Sequence, residues 1–164
     1  MESTFTHIDA EGNVTMVDVG NKDVTLRRAL AEAWVELAPK TATLLRNKAL
    51  PKGDALACAK VGGILAAKQT SALIPLCHNI NLTYADVKFD MVEDRLHIVA
   101  ETRSKSETGV EMEAIVAAQT AAAIIYDMCK AVQRDIVISR VRLLYKNGGK
   151  SGEFIARDIP QGII

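Results

Sequence analysis

Two short motifs bracket one long uncharged run. Thr108-Gly-Val-Glu-Met-Glu113 precedes it, Tyr126-Asp-Met-Cys-Lys130 closes it, and Ala114 to Tyr126 carries no charged side chain. Read as a helix, this is a rod buried on most faces. Glu111, Glu113, Asp127 and Lys130 are then fixed at the edge of a core. Burial and neighbouring charges shift pKa values there, and general acids and bases need such shifts. Asp127 and Lys130 are three apart and share a helix face, a spacing that also suits a plain surface ion pair. Thr108 and Glu111 have capping-box spacing, which gives Glu111 a capping duty. Glu113 has no such duty; a solvated first-turn acid facing the helix dipole is its simplest role.

Three further motifs carry candidate chemistry. In Lys52-Gly53-Asp54 the aspartate is a plausible N-cap, and Lys52 stands near the positive end of a helix, where phosphate is favoured. Leu73-Ile-Pro-Leu-Cys-His78 leads an apolar run through a proline to a thiol and an imidazole. Neighbours on an extended chain point to opposite sides, so Cys77 and His78 are poorly placed as a nucleophile–base pair. His78 can still donate a hydrogen bond or bind phosphate. Asn147-Gly-Gly-Lys-Ser-Gly152 contains Gly-Lys-Ser, but Leu144 stands where a P-loop needs its first glycine. A lysine loop that closes over an anion remains open, as does a frayed terminal turn.

The whole chain bounds the class. Its 164 residues suit one domain with a sizeable core. Hydrophobic residues make up 49% but aromatics only 4%, so the core must be built from Ala, Val, Ile and Leu. Twenty basic and twenty acidic side chains cancel, which argues against a nucleic-acid coat or an anionic-membrane binder and leaves self-association plausible. Cys58, Cys77 and Cys129 form no Cys-x-x-Cys pair, and no set of metal ligands stands out. The N-terminus shows neither a basic n-region nor an apolar h-region, and no run reads as a membrane span. A cytoplasmic protein is expected.

The elements that must position these residues read as mixed α and β. Leu26, Leu30, Ala33, Trp34 and Leu37 fall at helical spacing and predict a helix over 24–37, interrupted by Pro39. Residues 41–45 are ambiguous between strand and helix. A second helix runs over 54–73, with Gly62-Gly63 marking close packing. Thr83 to Met91 alternates as a half-buried strand; Glu93-Asp94 turns it, and 95–103 returns with Leu96, Ile98 and Ala100 inward. After the helix over 108–130, residues 136–145 predict a central strand. Segments 1–22 and 146–164 are expected to be flexible ends of a single 1–164 domain. Helix, helix, two strands, helix, strand suggests an α+β architecture, with helices on one face of an antiparallel sheet.

Taken in order, these motifs resemble the MoaC family, the cyclic pyranopterin monophosphate synthases of molybdenum cofactor biosynthesis. They are His7, Met16-Val-Asp-Val19, Lys52-Gly-Asp, Leu65-Ala-Ala-Lys-Gln-Thr through His78, Thr108-Gly-Val-Glu-Met-Glu-Ala, Ile125-Tyr-Asp-Met-Cys-Lys-Ala-Val and Gly148-Gly-Lys-Ser-Gly. Asn79 departs from the proline that usually follows the histidine. The resemblance implies a ferredoxin-like fold and a lyase acting on a cyclised dihydro-GTP, with pyrophosphate released and no redox cofactor or metal. It matches Asp127, Lys130 and Lys52 to catalytic positions, and Leu76, Cys77, His78, Met112 and Glu113 to substrate-binding positions. Asp127 would move a proton or poise Lys130, and a lysine crowded by other cations can act as acid or base. The resemblance further implies a homohexamer, a trimer of dimers with pockets shared between subunits. The two ends of the 108–130 helix are roughly 21 Å apart at 1.5 Å per residue, too far for one compact ligand to touch both ends of one copy. A non-catalytic nucleotide-sensing oligomer and a structural assembly partner are the competing classes.

Overall fold

The computed structural model describes residues 7–9, 11–160 and 162–164. The leaderless reading of the N-terminus rests partly on residues 1–6, which lie outside the described residues. The elements are β1 (Thr25–Glu36), α1 (Pro39–Arg46), α2 (Ala55–Lys68), α3 (Thr70–Leu73), β2 (Leu82–Val92), β3 (Arg95–Ser106), α4 (Glu111–Cys129), β4 (Val137–Asn147) and β5 (Phe154–Ile155). All strand pairs are antiparallel, in the order β2-β3-β1-β4-β5. With α2 after β1 and α4 after β3, this is the split β-α-β-β-α-β arrangement of a ferredoxin-like α+β fold.

The expected helix over 24–37 is instead β1, which pairs with β3 over its whole length. The physical reason is burial on both faces: Ala29 to Val35 are all buried, so period-two alternation is invisible in the sequence. Leu30 and Trp34 point to one side of the sheet while Ala29, Ala31, Ala33 and Val35 point to the other, so the apparent helical stripe spans both faces. Tertiary packing overrides the helix preference of Leu, Ala and Glu here. The central strand is therefore β1, not the segment over 136–145: β4 lies outside it, and β5 covers only Tyr145 and Lys146 of its far edge. Pro39 starts α1 rather than interrupting a helix, since a missing N–H costs nothing in a first turn. The predicted second helix divides at Gln69 into α2 and α3.

The helices cover one face. Ala29, Ala31, Ala33 and Val35 of β1 and Leu96, Ile98 and Ala100 of β3 meet Ala114, Ala117, Ala118, Ala121, Ala122 and Ile125 of α4 in one buried cluster. α2 lies against α4 with almost no side chain between them. A Cβ added at Gly63 would stand 3.0 Å from the Ala117 carbonyl oxygen, and one at Gly62 would strike Ile124. α4 is long and apolar enough to cross a membrane by composition, yet its apolar side chains are spent on the sheet and on α2. The opposite face carries Leu30, Leu144 and Tyr145 under Ile159 and Ile163 of the returning C-terminal chain. Glu32 is 1% exposed there, held by His97 Nε2 (2.6 Å), Arg142 Nε (2.6 Å) and Trp34 Nε1 (3.1 Å).

Candidate active site

The residues singled out by the sequence gather in two places, one at each end of α4. At its start, Leu76, Cys77, His78, Met112 and Glu113 line one cavity of about 570 Å³, together with His7, Val17 and Val19 of the N-terminal segment. The turn after α3 delivers Leu76 to His78, and His78 Nε2 donates to the Val17 carbonyl at 2.7 Å. That bond fixes the ring's orientation and tautomer. No hydrogen bond joins Cys77 to His78. The Cys77 thiol is pushed up by burial and then by the charge of Glu113, which suits a packed thiol rather than a nucleophile.

Glu113 is 3% exposed, and no cation pairs with it among the described residues. Burial pushes its carboxyl up to about 7, with the Glu111 charge adding to the effect. A carboxyl poised near neutrality can both give and take a proton. The expected capping box is absent. Helix α4 begins at Glu111 with Val110 as its N-cap, and no side chain caps it. Instead the Glu111 carboxylate folds back over Gly109, into space that a Cβ there would fill. Glu111 and Glu113 thus place two acidic side chains in the first turn of α4, where the helix dipole favours them.

A second cavity, of about 590 Å³, adjoins the first, and both share Lys22, Thr108, Gly109 and Glu111. Arg27 and Lys150 also line it, and none of the described ion pairs engages Lys22, Arg27 or Lys150. Arg27 Nε and Nη2 donate to the carbonyls of Ser106 (3.3 Å) and Glu107 (3.0 Å), tying β1 to the loop before α4. Gly148 and Gly149 have φ of 102° and 77°, a conformation that favours glycine; a Cβ at Gly148 would overlap the Leu26 carbonyl oxygen, and Gly149 packs against the Arg27 guanidinium. The Gly-Gly-Lys loop thereby reaches the cavity edge. The loop is visible in the sequence as Gly-Gly-Lys, but Lys22 and Arg27 are not, because they flank a strand start whose apolar spacing is that of a helix.

At the far end of α4 the second group forms. Gly53 turns the chain at φ 95°, and Asp54 caps α2 by accepting from Ala57 N at 3.0 Å, as predicted. Lys52, just before that cap, donates to Asp127 Oδ2 at 2.8 Å and to its backbone carbonyl at 2.9 Å. Lys130 Nζ meets Oδ1 at 2.7 Å. The hydrogen bond from Lys130, then that from Lys52, holds the Asp127 carboxyl down at about 2. All three side chains are substantially exposed. Neither α4-start cavity includes them. Among the described residues, no group of three or more His, Cys, Asp or Glu side chains is arranged to hold a metal ion.

Residues 16–149 match the model of the MoaC family. The cyclic pyranopterin monophosphate synthase of Desulfovibrio desulfuricans is 66% identical over 163 residues, 98% of this chain and all of that protein. That of Oleidesulfovibrio alaskensis is 58% identical over 158 residues, 95% of this chain and 99% of that protein. A molybdenum cofactor biosynthesis bifunctional protein of Chlorobaculum tepidum is 52% identical over 147 residues, 90% of this chain but 47% of its own length. With the family model spanning most of its length and relatives this similar end to end, the chain belongs to the MoaC family.

Proposed function

We propose that this chain is a cyclic pyranopterin monophosphate synthase, a lyase of molybdenum cofactor biosynthesis working in the cytoplasm. It takes a cyclised dihydroguanosine triphosphate to cyclic pyranopterin monophosphate and releases pyrophosphate. The observation that carries this reading is the pair of adjoining cavities. One offers Glu113, His78, Met112 and apolar walls to a base; the other offers Lys22, Arg27 and Lys150 to a polyphosphate. A nucleoside triphosphate has these two chemistries in this order.

The reaction moves protons on and off the purine-derived ring, then closes a cyclic phosphate as a sugar hydroxyl attacks the α-phosphorus and pyrophosphate leaves. Glu113 is poised to exchange a proton at the ring. Asp127 stays ionised and is a weak base, so its role is to hold Lys52 and Lys130 together; the two ammonium groups donate protons or stabilise developing negative charge. These lysines stand at the opposite end of α4 from the cavities, about 21 Å away along its axis. On this reading a complete site joins the cavities of one copy to the Lys52–Asp127–Lys130 group of another; a homohexamer built as a trimer of dimers is what the resemblance to the family implies.

Incubating the purified chain with the cyclised nucleotide and measuring pyrophosphate tests the reading. Release with formation of the cyclic phosphate supports it. Binding without release identifies a sensor instead, and neither identifies a structural subunit.

A further inference from the structure

The helix-facing side of β3 changes character halfway along. Leu96, Ile98 and Ala100 join the core. The next three positions on that side are Thr102, Ser104 and Ser106, all buried. Each of these hydroxyls donates to a backbone carbonyl outside the sheet. Thr102 Oγ1 reaches Val110 at 2.9 Å, Ser104 Oγ reaches Asn81 at 2.8 Å and Ser106 Oγ reaches Thr108 at 2.8 Å. None of the three side chains lines either cavity at the start of α4, yet the segments they hold do. Ile80 precedes Asn81, Thr108 borders both cavities, and Glu111, Met112 and Glu113 follow Val110.

Strand pairing does not call for the Thr102 oxygen. Valine has the same branched shape and suits a strand at least as well, and apolar side chains fill the three preceding positions on this side. The Val110 carbonyl does not call for it either, because it already accepts from Ala114 N at 3.2 Å, the first bond of the helix. What the hydroxyl adds is a fixed distance between β3 and the start of α4. That start lacks other means of restraint of this kind: among the described residues no side chain caps α4, and an uncapped first turn frays readily. Glu113 stands about one turn on from Val110, so a carbonyl pinned at Val110 also fixes where the Glu113 carboxyl meets the cavity.

We propose that Thr102 is a positioning residue for Glu113: its hydroxyl anchors the first turn of α4 to the sheet and so holds Met112 and Glu113 at the cavity wall in the arrangement that proton exchange needs. Thr102 touches no substrate, and its role rests on the reading of this cavity given above. Ser104 and Ser106 hold the facing wall and the intervening loop in the same manner.

Steady-state kinetics with the cyclised nucleotide and amide hydrogen exchange without it, on the intact chain, Thr102→Val and Thr102→Ser, test this role well below the melting temperature. Thr102→Val should lower kcat about tenfold or more, since a small misplacement of a reacting group is costly. KM should stay within about threefold, because Lys22, Arg27 and Lys150 are untouched. The Ala114 amide should exchange about tenfold or more faster in Thr102→Val, with Ala118 in mid-helix unchanged. Thr102→Ser, which keeps the donor, should restore both readings. The melting temperature should change little, because the Val110 carbonyl keeps its helix partner. A lowered melting temperature with kcat and Ala114 exchange unchanged marks a merely structural bond and overturns the proposal, as does a Thr102→Ser chain as slow as Thr102→Val. Either result leaves the cavity's role standing. If the intact chain releases no pyrophosphate from the cyclised nucleotide, the reading of the cavity itself falls, and this role with it.

Discussion

Lys52 and Asp127 are 75 positions apart in sequence, yet the Lys52 ammonium donates to both the carboxylate and the backbone carbonyl of Asp127, at 2.8 and 2.9 Å. The second bond ties the lysine to the last turn of α4 as well as to a side chain. Replacing Asp127 with Asn should therefore leave Lys52 partly in place but release Lys130. Turnover should fall by about 10²-fold or more, with no change in melting temperature, since the group is exposed. Asp127 has a depressed pKa, so its pairs persist until pH falls through about 2, and whatever stability they lend is full above its ordinary value of 3.8. Turnover of Asp127→Asn equal to that of the intact chain would refute the assignment.

Glu113 titrates where the enzyme works. Its carboxyl is raised from 4.5 to about 7, so a limb of the rate profile near neutrality should belong to it and vanish in Glu113→Gln. The stability sign is the reverse of the Asp127 case. The unfolded chain gives up this proton near 4.5 while the folded one keeps it to about 7, so the native state loses stability as pH rises between those values. Glu113→Gln should be the more stable form at pH 8, by up to ~3 kcal/mol, and should match the intact chain near pH 4. Urea titrations at the two pH values read this directly.

Cys77 lines the cavity but holds its proton. Cys77→Ser should retain turnover within about threefold, and alkylation of this thiol at neutral pH should be slow. A covalent adduct trapped at Cys77 during turnover would contradict this.

If each site joins two copies, two inactive chains can repair one another. Lys52→Ala and Glu113→Gln chains, unfolded together and refolded, should recover about a quarter of intact activity, because half of randomly formed pairs are mixed and each has one complete site. No recovery on mixing would place the whole site within one copy.

Glu32 serves stability rather than chemistry. It is the buried centre of a cluster with His97, Arg142 and Trp34. Removing one member leaves buried groups unpaired, so Glu32→Ala should cost on the order of 3–5 kcal/mol. Its carboxyl is lowered from 4.5 to about 2 despite burial, by the hydrogen bonds from His97 and Arg142. This contribution is full above pH 4.5 and disappears as pH falls through about 2. Urea midpoints for both chains across that range are the measurement.

Much of this was legible in the sequence. The hairpin follows from period-two alternation, the Asp54 cap from its place before α2, the glycine contact between α2 and α4 from Gly62-Gly63 inside a helix, and the long α4 from its uncharged run. The five cavity residues and the Lys52–Asp127–Lys130 group were singled out by the resemblance to the family, since each motif alone also suited a plain structural role. What failed has more than one cause. The sequence of β1 hides its alternation because chain on both sheet faces buries it. Glu111 was expected to cap, but Gly109 gives its carboxylate another place to lie. Lys22 and Arg27 become visible as site residues only once β1 is a strand beside β3.

The glycine seam between α2 and α4 has one further consequence. Lys52 precedes α2 and Asp127 ends α4, so the gap their bond spans is set by how closely two backbones approach at Gly62 and Gly63. Alanine at Gly63 would touch neither cavity nor lysine. It would act as a shim, wedging the helices apart and loosening the Lys52–Asp127 ion pair more than two turns of helix away. The placing of this ion pair is thus partly a matter of carpentry: the smallest side chains set the tolerance to which the charged groups are fitted.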